Sequence, residues 1–327
     1  MLKTKDTMLD DILKTCYQVY GMEVQEALPI HRGYLNLKWK VRTASGNFLI
    51  KQFNKKRFQK YSDEELFFAF TQQQRLKEQG FPCPGLYPLG GHYLLNSEKN
   101  DRFMVMEFCN GRLLSPGTVK PCQMYELGKA AGRMHSLLND GTNSKKSSPE
   151  FNPPSVKDRL NHWKNVEKKI RETNKLSLAT IIETQIDLTV NVSLDDYNLR
   201  ETGWAHRDLF LDNILFTDNG LSAILDFDRL KYDHPQLDVA RAVISGALCE
   251  NTFDISLASA FMEGYRVERP VEREFLSKAL MFLWYMESTW WIEVDMDEHK
   301  GPPIRFTEEM VWLSEHYGEL KEMLGGL

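Results

Sequence analysis

The stretch Trp204–Asp228, WAHRDLFLDNILFTDNGLSAILDFD, constrains the fold more than any other part of this sequence. It sets His206, Arg207, Asp208, Asp212 and Asn213 beside an apolar run. Polar groups that dense next to core residues need hydrogen-bond or ionic partners. Asn213 opens the strand NILF, TDNG is a hairpin turn closing on Asn219-Gly220, and LSAILDFD is the returning strand. Counted outward from the turn, Asn213 and Asp226 lie about equally far away. A hairpin is therefore expected to set them side by side at its open end. Asp208 lies in the short loop feeding the same end. Two carboxylates and an amide oxygen are expected to converge where the backbone is irregular.

Hard oxygen donors of this kind suit Mg2+, which takes one or two carboxylates together with waters and substrate phosphates. A further carboxylate can accept the proton of an attacking hydroxyl. This is the division of labour in phosphoryl transfer, where the protein mostly positions groups and neutralises developing charge. HRDLFLDN followed by LDFD resembles the catalytic loop and metal-binding segment of the protein-kinase-like superfamily. It is more closely similar to the aminoglycoside phosphotransferase, choline kinase and homoserine kinase branch. The resemblance implies Asp208 as catalytic base, Asn213 and Asp226 as metal ligands, and ATP and Mg2+ as cofactors.

DFD stands where protein kinases have D-F-G, and no A-P-E segment follows. DRLKYDHPQLDVARAV instead resembles the small-molecule kinases, in which a similar Asp-x-Ala opens the next helix. The implied partner is a small-molecule hydroxyl acceptor, an amino alcohol such as homoserine or an aminoglycoside or sugar-like compound. Similarity to homoserine kinases of this fold continues through GALCENTFDISLASAFMEGYR. The resemblance is close from Gly203 to Val243 and looser over most of the chain. Spore-coat relatives of the superfamily also show DFD followed by DHP, so a catalytically inactive binding protein of the same fold is the alternative. The joint presence of Lys51, Asp208, Asn213 and Asp226 favours an enzyme.

The first hundred residues read as strands around one helix. LNLKWKVRT (Leu35 to Thr43) alternates apolar and polar, ASGN is a turn and FLIKQF is the return strand. The helix opens at Ser62 with acids behind it and closes on Gly80. RFMVMEF is an apolar strand ending at the break CNGR. Ahead of them, MLKTKDTMLDDILKTCYQVY reads as an amphipathic helix with Met8, Ile12, Leu13, Cys16 and Tyr20 on one face. By the resemblance, Lys51 holds the α- and β-phosphates and Glu65 is its ion-pair partner, with Glu64 as the rival. MVMEFCNG looks like the inter-lobe hinge, where backbone groups of Glu107, Phe108 and Cys109 meet the adenine edge. PIHRGYLNLKWKV holds the single Gly33 and nothing like G-x-G-x-x-G, a departure at the phosphate loop.

After Gly111 the character is helical. MYELGKAAGRMHSLL carries Leu127, Ala130, Ala131, Met134, Leu137 and Leu138 at a helical period, and NDGTNSKKSSPEFNPPS is the most polar, turn-rich stretch. The expected fold is α+β, two-lobed and protein-kinase-like. An N-terminal antiparallel sheet with one helix fills 1–109, and a mainly helical C-terminal lobe fills 110–327. His206 and Arg207 are expected to brace the catalytic loop, and His135 to pack in the core. Asp238 caps VARAV or accepts hydrogen bonds from the loop, and Asp228 either reaches the metal site or is solvated. LWYMESTWWIEVDMDEHK is either a core helix with a solvated acidic end or an acidic, aromatic wall for a cationic acceptor.

Composition narrows the partners. Over 327 residues the net charge is −5, without the basic stripe of a nucleic-acid surface. No run approaches the roughly 20 apolar residues of a membrane span. The N-terminus lacks the apolar centre of a signal peptide. The five cysteines are scattered, with no C-x-x-C pair, which reads as reduced thiols in a cytoplasmic protein and no zinc site.

Overall fold

The computed structural model describes residues 7–31, 36–194, 197, 201–298 and 302–327. The chain forms two compact units, Met1–Gly111 with Ser222–Asp228, and Arg112–Leu221 with Arg229–Leu327. Gly33 and Leu35 lie outside the described residues.

The first unit is built on a five-stranded antiparallel sheet. Its strands β1 (Val24–Pro29), β2 (Leu37–Thr43), β3 (Gly46–Gln52), β4 (Leu95–Asn96) and β5 (Arg102–Glu107) lie in the order β1-β2-β3-β5-β4. β2 and β3 join at a tight turn through Ala44 and Ser45, which puts Thr43 opposite Gly46 and Lys38 opposite Lys51. Gly46 turns the chain at φ +134°, a conformation open to a residue without a Cβ.

β5 is apolar on both faces because both faces of the sheet are covered. Phe103 and Val105 pack with Ile12 and Cys16 of α1 (Thr7–Tyr20). After the single turn α2 (Lys55–Phe58), α3 (Asp63–Glu78) supplies Leu66 and Phe70 to the other face, against Met104 and Met106. The stripe read from the sequence of α1 is the one that packs: Met8, Leu13 and Tyr20 flank the same cluster. α3 ends where Gly80 takes φ +73°.

The second unit is mostly helical: α4 (Pro121–Leu138), α5 (Val156–Glu172), α6 (Ala179–Asn191), α7 (Pro235–Ala247), α8 (Ile255–Glu268), α9 (Phe275–Trp291), α10 (Pro302–Glu315) and α11 (Leu320–Leu324). Short strands β6 (Gly203–Ala205), β7 (Ile214–Phe216) and β9 (Lys231–Asp233) carry the chain between them. β8 (Leu221–Ile224) passes from the second unit into the first. α7 is buried along its whole length, and α9 from Leu280 to Ser288 without interruption. Helices buried all round can carry charge only in pairs. Accordingly, Arg241 of α7 donates through Nε to Glu287 of α9 at 2.9 Å.

α4 and α8 approach until their backbones touch. A Cβ on Gly128 would stand 1.9 Å from the Phe261 carbonyl oxygen, and one on Gly264 would stand 2.0 Å from that of Tyr125. Among the described residues no helix is long and apolar enough to cross a membrane. The five cysteines are free thiols.

Candidate active site

In the second unit, β6 runs into the loop His206–Phe210, a 3-10 turn at Leu211–Asn213, and β7. Arg207 sits at φ +69°, a region that non-glycine residues occupy at a cost of roughly 1–2 kcal/mol. The strain is held by Asp238, which is fully buried. Its Oδ2 accepts from the His206 amide at 2.7 Å and its Oδ1 from the Arg207 amide at 2.8 Å. His135 Nε2 lies 3.3 Å from Asp238 Oδ2, and Arg241 Nη1 donates to Oδ1 at 3.2 Å. Burial works to raise the Asp238 pKa, but the hydrogen bond and charge of His135, with Arg241 behind them, hold it down at about 2. An ionised carboxylate therefore clamps the loop backbone at neutral pH.

The clamped loop presents Asp208. Asn213 Nδ2 donates to the Asp208 carbonyl and to Asp208 Oδ2, both at 2.9 Å, and Arg229 Nη1 donates to Oδ1 at 3.2 Å. An amide group has two N–H donors. Asp208 takes both, so Oδ1 is the Asn213 atom left to meet a cation. Arg207 Nε lies 2.6 Å from Asp233, and its guanidinium stacks on Phe151 at 4.3 Å. That geometry braces the loop.

In the first unit, Asp226 takes φ +63° just past β8. Its Oδ1 accepts from Lys51 Nζ at 2.5 Å and its Oδ2 from Lys38 Nζ at 3.3 Å. Lys51 Nζ also meets Asp228 at 2.7 and 2.8 Å, and Lys51 is only 1% exposed. Burial works against its charge, yet Asp226 and Asp228 outweigh burial and raise its pKa. Burial likewise pushes Asp226 up, and Lys51 with Lys38 more than reverses it. Two lysines directly opposite on adjacent strands repel; the two carboxylates resolve the conflict. Lys51→Met should cost about 3 kcal/mol, since it strips Asp228 of its lysine and leaves Asp226 only Lys38. Urea unfolding checks this, and the triple variant K51M/D226N/D228N should recover much of the loss.

The sequence matches the profile of the phosphotransferase enzyme family over residues 26–275. The chain belongs to this family. A homoserine kinase of Agrobacterium fabrum is 28% identical over 226 residues, 68% of this chain and 65% of that enzyme, just under two thirds of its length. Amicoumacin kinase in complex with AMP-PNP, Ca2+ and Ami superposes at a TM-score of 0.64 and 14% identity, over 95% of this chain and 93% of that one. Choline kinase of Cryptosporidium parvum gives 0.60 and 16%, over 97% and 96%. The fold of this chain is protein-kinase-like, with the N-terminal antiparallel sheet and helical remainder of that class.

The second unit brings Asp208 and Asn213 together and the first unit brings Lys51 and Asp226 together. Glu65 closes the capping box of α3: Ser62 Oγ accepts from its amide at 3.1 Å, and its Oε2 accepts from the Ser62 amide at 3.2 Å. The carboxylates on Lys51 Nζ are Asp226 and Asp228, so Asp228 is ion-paired rather than solvated. Glu107 ends β5 with its carboxylate on Lys77 at 2.5 Å and on the Gly85 amide at 3.1 Å. Phe108 lies under Lys40 Nζ at 4.4 Å, and burial pushes the half-buried Cys109 thiol up to about 11.

Sequence reasoning missed Lys38 and Arg229. Lys38 carried a signal: counting back from the Ala44-Ser45 turn places it opposite Lys51. Arg229 carried none beyond its closeness to DFD. α9 proves to be a core helix through Trp284, Tyr285 and the buried Glu287. The acids beyond it are solvated, Asp297 and Glu298 sharing Lys175 at 2.6 and 2.7 Å.

Proposed function

We propose that this protein transfers the γ-phosphate of ATP to a hydroxyl of a small molecule, with Asp208 as the base. The observation that carries the reading is the Asp208 carboxylate, set between the Asn213 amide and Arg229 on a loop whose amides are clamped by a buried aspartate. A base must be fixed within hydrogen-bond reach of the proton it takes, and this loop is fixed.

The donor types suit Mg2+: Asp226 of the first unit offers carboxylate oxygens and Asn213 of the second an amide oxygen, both hard ligands. When bound, the ion would neutralise charge on the nucleotide phosphates. Lys51 and Lys38, gathered at Asp226, are cations available to phosphate oxygens. Backbone groups of Glu107, Phe108 and Cys109 are assigned to the adenine edge. The acceptor is an amino alcohol such as homoserine, or an aminoglycoside or sugar-like compound. The homoserine kinases among the relatives support the first, and amicoumacin kinase and spectinomycin phosphotransferase support the second.

Millimolar Mg-ATP should raise the melting temperature by a few degrees, because a ligand at about 100 times its Kd adds about 2.7 kcal/mol to the folded state. Homoserine, a sugar panel and aminoglycosides, each with Mg-ATP and an ADP readout, then identify the acceptor. No thermal shift with Mg-ATP or Mg-GTP, and no ADP formed with any acceptor, would overturn the reading.

A further inference from the structure

We propose that Arg305 is a positioning residue for the catalytic loop, holding through Asp212 the turn that presents Asn213. The proposal rests on the role of Asn213 given above. Arg305 lies on α10, far along the chain from the loop, yet it meets the loop at two successive points. Its Nη2 donates to Asp212 Oδ2 at 2.6 Å, and its guanidinium lies 5.7 Å from the Phe210 ring centre. The next residue, Phe306, packs its own ring on Phe210 at 4.6 Å.

The guanidinium is itself oriented. Arg305 Nε lies 2.9 Å from Glu309 Oε1, one helical turn on, and the Glu309 side chain is only 2% exposed. The face of the guanidinium lies 4.8 Å from the Phe306 ring centre. A planar cation set edge-on to the buried Glu309 side chain, whose pKa burial raises to about 8, and face-on to an aromatic ring turns its remaining donors in one direction. That direction is Asp212.

Asp212 is the residue immediately before Asn213, inside the 3-10 turn Leu211–Asn213. The turn has other fixed points: the Asn213 amide donates to the Phe210 carbonyl at 2.9 Å, the Leu211 amide donates to Ser245 Oγ at 3.2 Å, and Asn213 Nδ2 donates to Asp208. None of these acts on the Asp212 side chain. Arg305 adds a tether there, on a side chain that is 45% exposed. The tether limits rotation of the turn, and with it the direction of Asn213 Oδ1. Lysine could keep the charge but could not span Asp212 and Glu309 at once.

The test uses the full chain and two readouts that need no acceptor. One is hydrogen–deuterium exchange of the Leu211 and Asn213 amides in the ligand-free protein. The other is the affinity for Mn2+ in the presence of AMP-PNP. R305M and D212N should each speed exchange roughly tenfold, as expected for losing a charge-assisted hydrogen bond. The double variant R305M/D212N should be no faster than either alone, because both remove one interaction. Mn2+ binding should weaken several-fold in the same variants, and R305K should fall between them and wild type. D212N changes a half-exposed side chain, and R305M/E309Q removes the carboxylate that R305M alone would strand, so folding failure does not decide the outcome. Exchange unchanged in D212N and in R305M/E309Q would overturn the tether. Faster exchange with wild-type Mn2+ affinity would reduce Arg305 to a brace and overturn its positioning role. A wild-type protein that binds no Mn2+ with AMP-PNP would sink the phosphotransferase reading itself, a result distinct from either.

Discussion

Asp208→Asn is expected to lower kcat by about 10²–10⁴ while leaving ATP affinity within a few-fold, the range typical of a lost general base. Asparagine keeps the size and one acceptor of aspartate but has no useful basicity. The local geometry sharpens the expectation. Asp208 faces a donor on each oxygen, Asn213 Nδ2 on one and Arg229 Nη1 on the other. An amide at this position turns its own N–H toward one of those donors, so one contact is lost and the loop stays clamped by Asp238. The melting temperature should therefore move little. If Asp208 only braced its loop, the same change would lower melting temperature and ATP affinity together and spare turnover. Measuring kcat, ATP affinity and melting temperature on one variant separates the two, and near-normal turnover would remove Asp208 as base.

Gly264→Ala is expected to be among the most destabilising single methyl additions in the second unit. The added carbon would stand 2.0 Å from the Tyr125 carbonyl oxygen and 2.9 Å from the Lys129 amide nitrogen, both backbone atoms that no rotamer change can move. α4 and α8 would have to separate by about an ångström, at a cost of about 3 kcal/mol or more. In a chain of this size that lowers the melting temperature by roughly 5–10 °C. Gly128→Ala, facing the Phe261 carbonyl oxygen at 1.9 Å from the other side, should do the same.

The effect should also reach the active loop. His135 of α4 meets Tyr265 of α8 at 3.0 Å and Asp238 at 3.3 Å, and Asp238 holds the His206 and Arg207 amides. Turnover of the surviving folded fraction should therefore fall as well. Urea unfolding of both glycine variants checks the first claim; a loss under 1 kcal/mol in either would show that the helices have room to spare.

Several features were determined by the sequence alone. α1, β5 and α4 follow from periodicity, because a stripe of apolar residues must be covered whatever covers it: Ile12 and Cys16 on α1, Phe103 to Met106 on β5, Leu127 to Leu138 on α4. The contact between Asp208 and Asn213 is five residues long and follows from the local motif. The pairing of Lys38 with Lys51 was present too, since a tight turn fixes register, although only the carboxylates at Asp226 and Asp228 explain why two lysines tolerate each other there.

Tertiary structure alone decided the partners of the buried charges and the glycine seam. Asp238 reaches back some thirty residues to clamp the loop, and Arg305 some ninety to hold Asp212. Gly128 and Gly264 look like weak points in two helices until those helices are laid together. Periodicity reports which face of one element turns inward. A buried charge or a missing Cβ acquires meaning only from the atoms on the facing element, and which element faces it is settled by packing the whole unit.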